Sequence, residues 1–227
     1  MARLTWRTLP REMRLFFAYW LREVLGEASY RRRLRAAGID ISSVSLRQMG
    51  LDESRAHNHA NSGGPALEKV FRTLQITDQD AILDLGCGKG GALLTMAMFP
   101  FRRIAGLELC PEILRIAQEN MARAGLNRVE LIHGDAALFT DYDDFTHIYL
   151  YNPFPEPVLR SVLHNLEDSL RRAPRRLTLI YKNPRFHDLV AASGLFVLDR
   201  LFTHAGHPIH VYVTTEGCPG QPEKAGS

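Results

Sequence analysis

The sequence predicts an α/β domain: a doubly wound, mostly parallel, seven-stranded sheet with an antiparallel edge hairpin and a helical N-terminal extension. Three observations carry that prediction. Between residues 65 and 214, short apolar runs of strand length alternate with segments of helical periodicity, the pattern of a parallel sheet covered on both faces. Prolines stand where helices begin, at Pro65, Pro111 and Pro157, in first-turn positions whose N–H has no partner in any case. The last two apolar runs are joined by residues 203–208, a polar link with no helical pattern, which makes them antiparallel neighbours.

The elements follow in order. Residues 1–55 are helix-prone and dense in arginine and aromatics, and form an extension. Residues 56–64 (AHNHANSGG) are a polar connector. The body, 56–214, offers strands at 81–85, 103–109, 129–133, 147–151, 177–181, 196–202 and 209–214. Helices are expected at 65–74, at 111–124 (ending before Gly125), at 157–172, and in a short piece after Pro184. The tail 215–227 has no apolar residue beyond Cys218 and Ala225 and is expected to be disordered.

Composition narrows the class. With 227 residues, 45% hydrophobic and 23% charged, the chain fits one globular domain with an extension, not a fibrous or wholly disordered protein. The strongly apolar run near its start, residues 15–21, is too short for a bilayer span or a secretory core. Three cysteines, Cys87, Cys110 and Cys218, make no disulfide framework, so a reduced, cytoplasmic protein is expected. Residues 1–40 hold nine arginines against four acids, a surplus of five. The total is +3, so the other 187 residues carry a net −2. The basicity belongs to the arm.

The first strand ends in Asp84-Leu85-Gly86-Cys87-Gly88-Lys89-Gly90-Gly91. Such a glycine loop lets backbone approach a ligand closely, and the helix after it offers free N–H groups. Gly86, Gly88 and Gly91 also satisfy the dinucleotide-binding spacing, so an NAD-dependent oxidoreductase is one alternative. Asp84 separates the readings: a strand-end carboxylate suits a ligand ammonium group and gains a pyrophosphate nothing. Glu108 ends the second strand and suits two vicinal ribose hydroxyls, whichever ligand carries them.

These residues, with Leu107-Glu108-Leu109, Gly134-Asp135-Ala136 and Asn152-Pro153-Phe154-Pro155 after them, resemble the ordered motifs of the class I S-adenosylmethionine-dependent methyltransferases. The resemblance covers roughly residues 60–214. It implies a Rossmann-like fold, S-adenosylmethionine as cofactor and methyl transfer as activity. Residue by residue, it implies that Gly86, Cys87, Gly88 and Gly90 lie beneath the methionine part of the cofactor, with Asp84 near its amino group. Glu108 would take the ribose, Asp135 the adenine amino group, and Leu109 and Ala136 would flank the ring. Taken alone, Asp135 also reads as a turn or helix-cap aspartate.

Asn152, Pro153 and Phe154 end the fourth strand, where open α/β sheets place their chemistry, beside the cofactor methyl group. The segment is similar to the Asn-Pro-Pro-aromatic motif of amino-group methyltransferases, which implies two oxygen acceptors for a target amine and a ring that stacks on the substrate. It departs from that motif in carrying Phe154 third and Pro155 fourth. A rigid strand-ending turn is the plainer reading. An amine nitrogen is the favoured acceptor; small amine, protein and nucleic acid stay open. A cofactor-binding adaptor without turnover is the further alternative.

Four weaker signals complete the reading. Residues 55–65 suggest a polar lid hinged at Gly63 and Gly64. Tyr181-Lys182-Asn183-Pro184 repeats an Asn-Pro strand end and could border the substrate pocket. No Cys or carboxylate joins His57 and His59, or His204, His207 and His210, at ligand spacing, which gives no metal site. The arm's apolar residues need a partner, whether the catalytic core, a second copy, a membrane surface or an acidic or RNA partner.

Overall fold

The computed structural model describes residues 11–43, 61–204 and 207–215, with 11–20 described by backbone alone. Of the tail 215–227 expected to be disordered, Thr215 is described and its N–H donates to the Leu195 carbonyl at 3.0 Å; residues 216–227, and the histidines at 57 and 59, lie outside the described residues. The element order is α1 (Arg11–Ala36), α2 (Pro65–Phe71), β1 (Ala81–Leu85), α3 (Gly91–Met96), β2 (Arg103–Glu108), α4 (Pro111–Arg123) and β3 (Val129–His133). Then come β4 (His147–Tyr151), α5 (Glu156–Arg172), β5 (Thr178–Lys182), α6 (His187–Ala192), β6 (Phe196–His204) and β7 (His207–Thr214).

The seven strands form one sheet in the order β3-β2-β1-β4-β5-β7-β6. The first five are parallel, β7 runs antiparallel to β5, and β6 antiparallel to β7. The expected edge hairpin is present, and its strands run on to His204 and start again at His207, so the link is shorter than the polar pattern suggested. All five residues of β1 are buried because the two sheet faces are both covered. Leu83 and Leu85 join Ile148 and Leu150 under the apolar side of α5, from Val158 to Leu170. On the other face Ile82, Ile104, Tyr149 and Ile180 pack with Leu67 and Phe71 of α2 and Leu93 of α3.

Strand order reverses at β1, which has β2 on one side and β4 on the other. In open α/β sheets a ligand crevice lies at such a switch point, above the carboxyl ends of the strands. The glycine loop, the Glu108 strand end and the Asn152 turn all stand there.

The extension is fastened to this body. Ile39 and Ile41 enter the same core as α2 and α3. The Tyr30 hydroxyl donates to the Gly91 carbonyl at 3.5 Å. His204, at the end of β6, sits between Glu23 and Glu27, its ring nitrogens 3.2 and 3.3 Å from their carboxylates. Of the partners open to the arm, the catalytic core takes this inner face of α1, while Leu21 and Leu25 stay exposed outside. Among the described residues, no helix is long and apolar enough to cross a membrane.

Candidate active site

The glycine loop is held by backbone bonds from below. Gly86 and Cys87 both donate to the Leu107 carbonyl at 2.9 Å, and Gly90 N–H donates to the Cys87 carbonyl at 2.9 Å. Gly86 has φ +74°. A Cβ there would stand 2.5 Å from the Pro153 Cβ, so the loop and the fourth-strand turn touch only because residue 86 has no side chain. Cys87 gives its backbone to the loop, while its side chain packs beneath on Gly106. Burial, with Asp84 and Glu108 nearby, pushes that thiol well up and leaves it no thiolate character.

Glu108 braces the loop. One carboxylate oxygen accepts from Gly88 N–H at 2.9 Å and the other from Cys110 N–H at 3.0 Å. Two oxygens have about four acceptor sites, so both retain capacity for a ligand hydroxyl. Asp84 is different. One of its carboxylate oxygens is buried with no hydrogen-bond partner. Burial, then the repulsion of Glu108, hold its carboxyl well above the usual range. Two buried acids side by side make a place that attracts positive charge.

Leu109 is half-buried, and its carbonyl meets His133 Nε2 at 3.0 Å. Asp135 Oδ1 accepts from Ala137 N–H at 2.9 Å, the turn geometry expected of the plainer reading, and Ala136 is buried beside it. Asp135 therefore shapes the turn after β3 as well as standing at the crevice rim.

Asn152 takes a left-handed backbone, φ +41°, and Asn183 at the end of β5 does the same at φ +51°. The two Asn-Pro segments are thus sharp turns at adjacent strand ends. The Tyr181 hydroxyl donates to Asn152 Oδ1 at 3.3 Å. Phe154 does not fit the stacking role expected of it: it is 5% exposed and lies in the core layer with Val158 and Leu159 of α5. Its ring serves packing because Pro155, in the following position, already opens α5.

The expected hinge is also a packed joint. A Cβ on Gly63 would fall 1.9 Å from the Gly91 carbonyl oxygen, and Gly64 N–H donates to Thr95 Oγ1 at 2.8 Å. The Ser62 carbonyl accepts from the Tyr149 hydroxyl at 3.3 Å and from Lys182 Nζ at 3.2 Å. Lys182, lowered by burial, lies 5.0 Å over the Tyr151 ring. Residues 61–64 are thus fastened to α3, β4 and β5.

Sequence reasoning missed one set of residues. Lys89, in the middle of the glycine loop, is buried, and its Nζ meets Asp40 Oδ2 at 2.6 Å and Ser42 Oγ at 2.9 Å. Asn120 of α4 binds the Lys89 carbonyl, the Asp40 carbonyl and the Asp40 N–H at 2.8–2.9 Å. A lysine between close-packed glycines was the available signal, since a buried ammonium needs an acid; which acid was not legible.

Residues 82–173 match the model of a methyltransferase domain family. The chain is 26% identical over 193 residues to a 23S rRNA (uracil(1939)-C(5))-methyltransferase RlmD of Edwardsiella ictaluri, covering 81% of this chain and 41% of that protein. It is 29% identical over 128 residues to the release factor glutamine methyltransferase of Vibrio cholerae, covering 56% of this chain and 40% of that one. The chain thus spans about two fifths of the length of these curated relatives. Among solved structures, an RNA methyltransferase from Salinibacter ruber in complex with S-adenosyl-L-homocysteine aligns with TM-score 0.52 at 20% identity, over 73% of this chain and 99% of that one. The ribosomal protein L11 methylase of Lactobacillus delbrueckii aligns with TM-score 0.53 at 16% identity, over 66% and 77% of the two chains.

Proposed function

We propose that this methyltransferase domain, of the class I S-adenosylmethionine-dependent fold, binds S-adenosylmethionine in the crevice at β1 and β2 and transfers its methyl group to an acceptor at the Asn152-Pro153 turn. The observation that carries the reading is Asp84, a buried carboxylate with one unpartnered oxygen beside Glu108, at the rim of a glycine loop. The residues fit the cofactor: Asp84 suits its ammonium group, Glu108 its ribose hydroxyls, and the turn after Gly134 its adenine end. When bound, the cofactor supplies an already activated methyl group.

The chain's own work is then positioning. In-line placement of two reactants is worth about 7–11 kcal/mol. Contact between Gly86 and Pro153 fixes the acceptor turn against the cofactor loop. We favour an amine nitrogen as acceptor, because Asn152 offers a side-chain oxygen and a backbone carbonyl to direct N–H groups and aim a neutral lone pair. A membrane surface or a second copy is the contact to test on the outer face of α1, by vesicle co-sedimentation and sedimentation velocity.

Titration calorimetry with S-adenosylmethionine tests the cofactor. Binding by the wild type and its loss in folded Gly88→Arg or Glu108→Ala support the reading; no wild-type binding refutes it. Transfer of labelled methyl to lysate components, strongly lowered but still measurable in Asn152→Ala, separates an enzyme from an adaptor that binds without turnover.

A further inference from the structure

We propose that Tyr181 is a positioning residue for methyl transfer: its hydroxyl orients the Asn152 side chain toward the acceptor. The inference rests on the reading of Asn152 given above. It adds a residue on another strand and assigns the direction in which the Asn152 amide points.

One hydrogen bond gives that direction. Tyr181 carries one proton and accepts through its oxygen. Its hydroxyl lies 3.3 Å from Asn152 Oδ1, an oxygen that only accepts, so the Tyr181 proton is directed at Asn152. An amide seen from outside is ambiguous between O and N. In this structure the Asn152 oxygen faces Tyr181 and the NH2 group faces away. Tyr181 uses one lone pair of that oxygen and leaves the other for an acceptor N–H.

The support for Tyr181 is rigid. Its side chain is buried in the core, opposite Leu150 of β4 and His210 of β7 in register. Burial holds its phenol up at about 12, so the hydroxyl keeps its proton across the working range. Asn152 itself sits in a left-handed conformation that the turn over Gly86 imposes on its backbone. Its backbone is therefore fixed from the cofactor side and its side chain from the β5 side. Without the hydroxyl, the amide could rotate about its last bond and present either edge.

Tyr181→Phe removes the hydroxyl and keeps the ring. With S-adenosylmethionine as titrant and methyl-labelled lysate components as readout, the variant should keep wild-type cofactor affinity and lose about five- to tenfold in transfer rate, the worth of one neutral hydrogen bond. In an Asn152→Ala background the same change should cost nothing further. In the 15N-labelled protein, the Asn152 side-chain NH2 resonances, identified by their loss in Asn152→Ala, should move in Tyr181→Phe. Unmoved resonances overturn the proposal, as does a full five- to tenfold loss in the Asn152→Ala background. So does weakened cofactor binding in Tyr181→Phe, which would place Tyr181 in the fold. Normal transfer by Asn152→Ala with the cofactor bound refutes instead the reading of Asn152 as the acceptor-directing residue.

Discussion

Asp40→Ala should unfasten the arm from the glycine loop, and its cost follows from the structure. The folded Asp40 carboxyl is lowered from 3.8 to about 2: burial opposes ionisation, and the Lys89 ammonium and the Ser42 hydroxyl and N–H outweigh it. Nearly two units convert to about 2.5 kcal/mol, but the Asp40 side chain is 44% exposed, and solvent screening leaves roughly 1 kcal/mol. That contribution is complete above pH 4 and is lost as the pH falls through 2. Removing the carboxylate also strands Lys89, whose side chain is only 3% exposed, an added cost that brings the total to about 2 kcal/mol. Urea unfolding at pH 7 measures it as a shift in midpoint at constant slope. Asp40→Ala combined with Lys89→Met should recover about half, since no buried ammonium remains. Titration calorimetry should show weaker binding of S-adenosylmethionine in the single variant. An unchanged midpoint together with unchanged affinity would refute the claim that the arm supports the loop.

Further outcomes follow from the same geometry. Gly86→Ala places a side chain at φ +74° and against Pro153, and left-handed strain with overpacking should cost about 3 kcal/mol in urea unfolding. Asp84→Asn removes a carboxylate that burial and Glu108 both oppose. At pH 7 it should raise the thermal midpoint of the cofactor-free protein by about 2–4 °C and weaken S-adenosylmethionine at least tenfold; a lower midpoint would contradict this. His147 is pushed by burial from 6.5 down to about 4, with Asp80 opposing. Its neutral form is favoured by folding, so stability should be full above pH 6.5 and fall by about 3 kcal/mol toward pH 4. His147→Gln should flatten that slope in acid unfolding, and an unaltered slope would show another group to be responsible.

The alternation of apolar runs with helical segments was enough for the sheet, because a strand buried on both faces and a helix buried on one stripe leave different periods in the chain. The edge hairpin was legible for the same reason. The motifs Asp84–Gly90, Glu108 and Asn152 were legible because they are local: a few consecutive residues at a strand end, where the fold places chemistry. Phe154 was misread because an aromatic ring after Asn-Pro serves packing or stacking equally well, and only α5 above it decides which. The Gly63-Gly64 pair was read as a hinge because glycine permits both motion and close approach, and the neighbour that forces close approach is Gly91.

The arm shows the boundary between the two kinds of information most clearly. Charge arithmetic separated a +5 segment from a −2 body, and the motifs put the expected chemistry in the body. The structure joins them through Asp40, 49 residues from Lys89 in sequence, and through Glu23 and Glu27 at His204. The sequence by itself determined the sheet, the glycine loop and the acids at the strand ends, because each is written in adjacent residues. Which acid neutralises Lys89, which hydroxyl faces Asn152 and which oxygen of Asp84 goes unpartnered were decided only in three dimensions, because each depends on side chains brought together from distant parts of the chain.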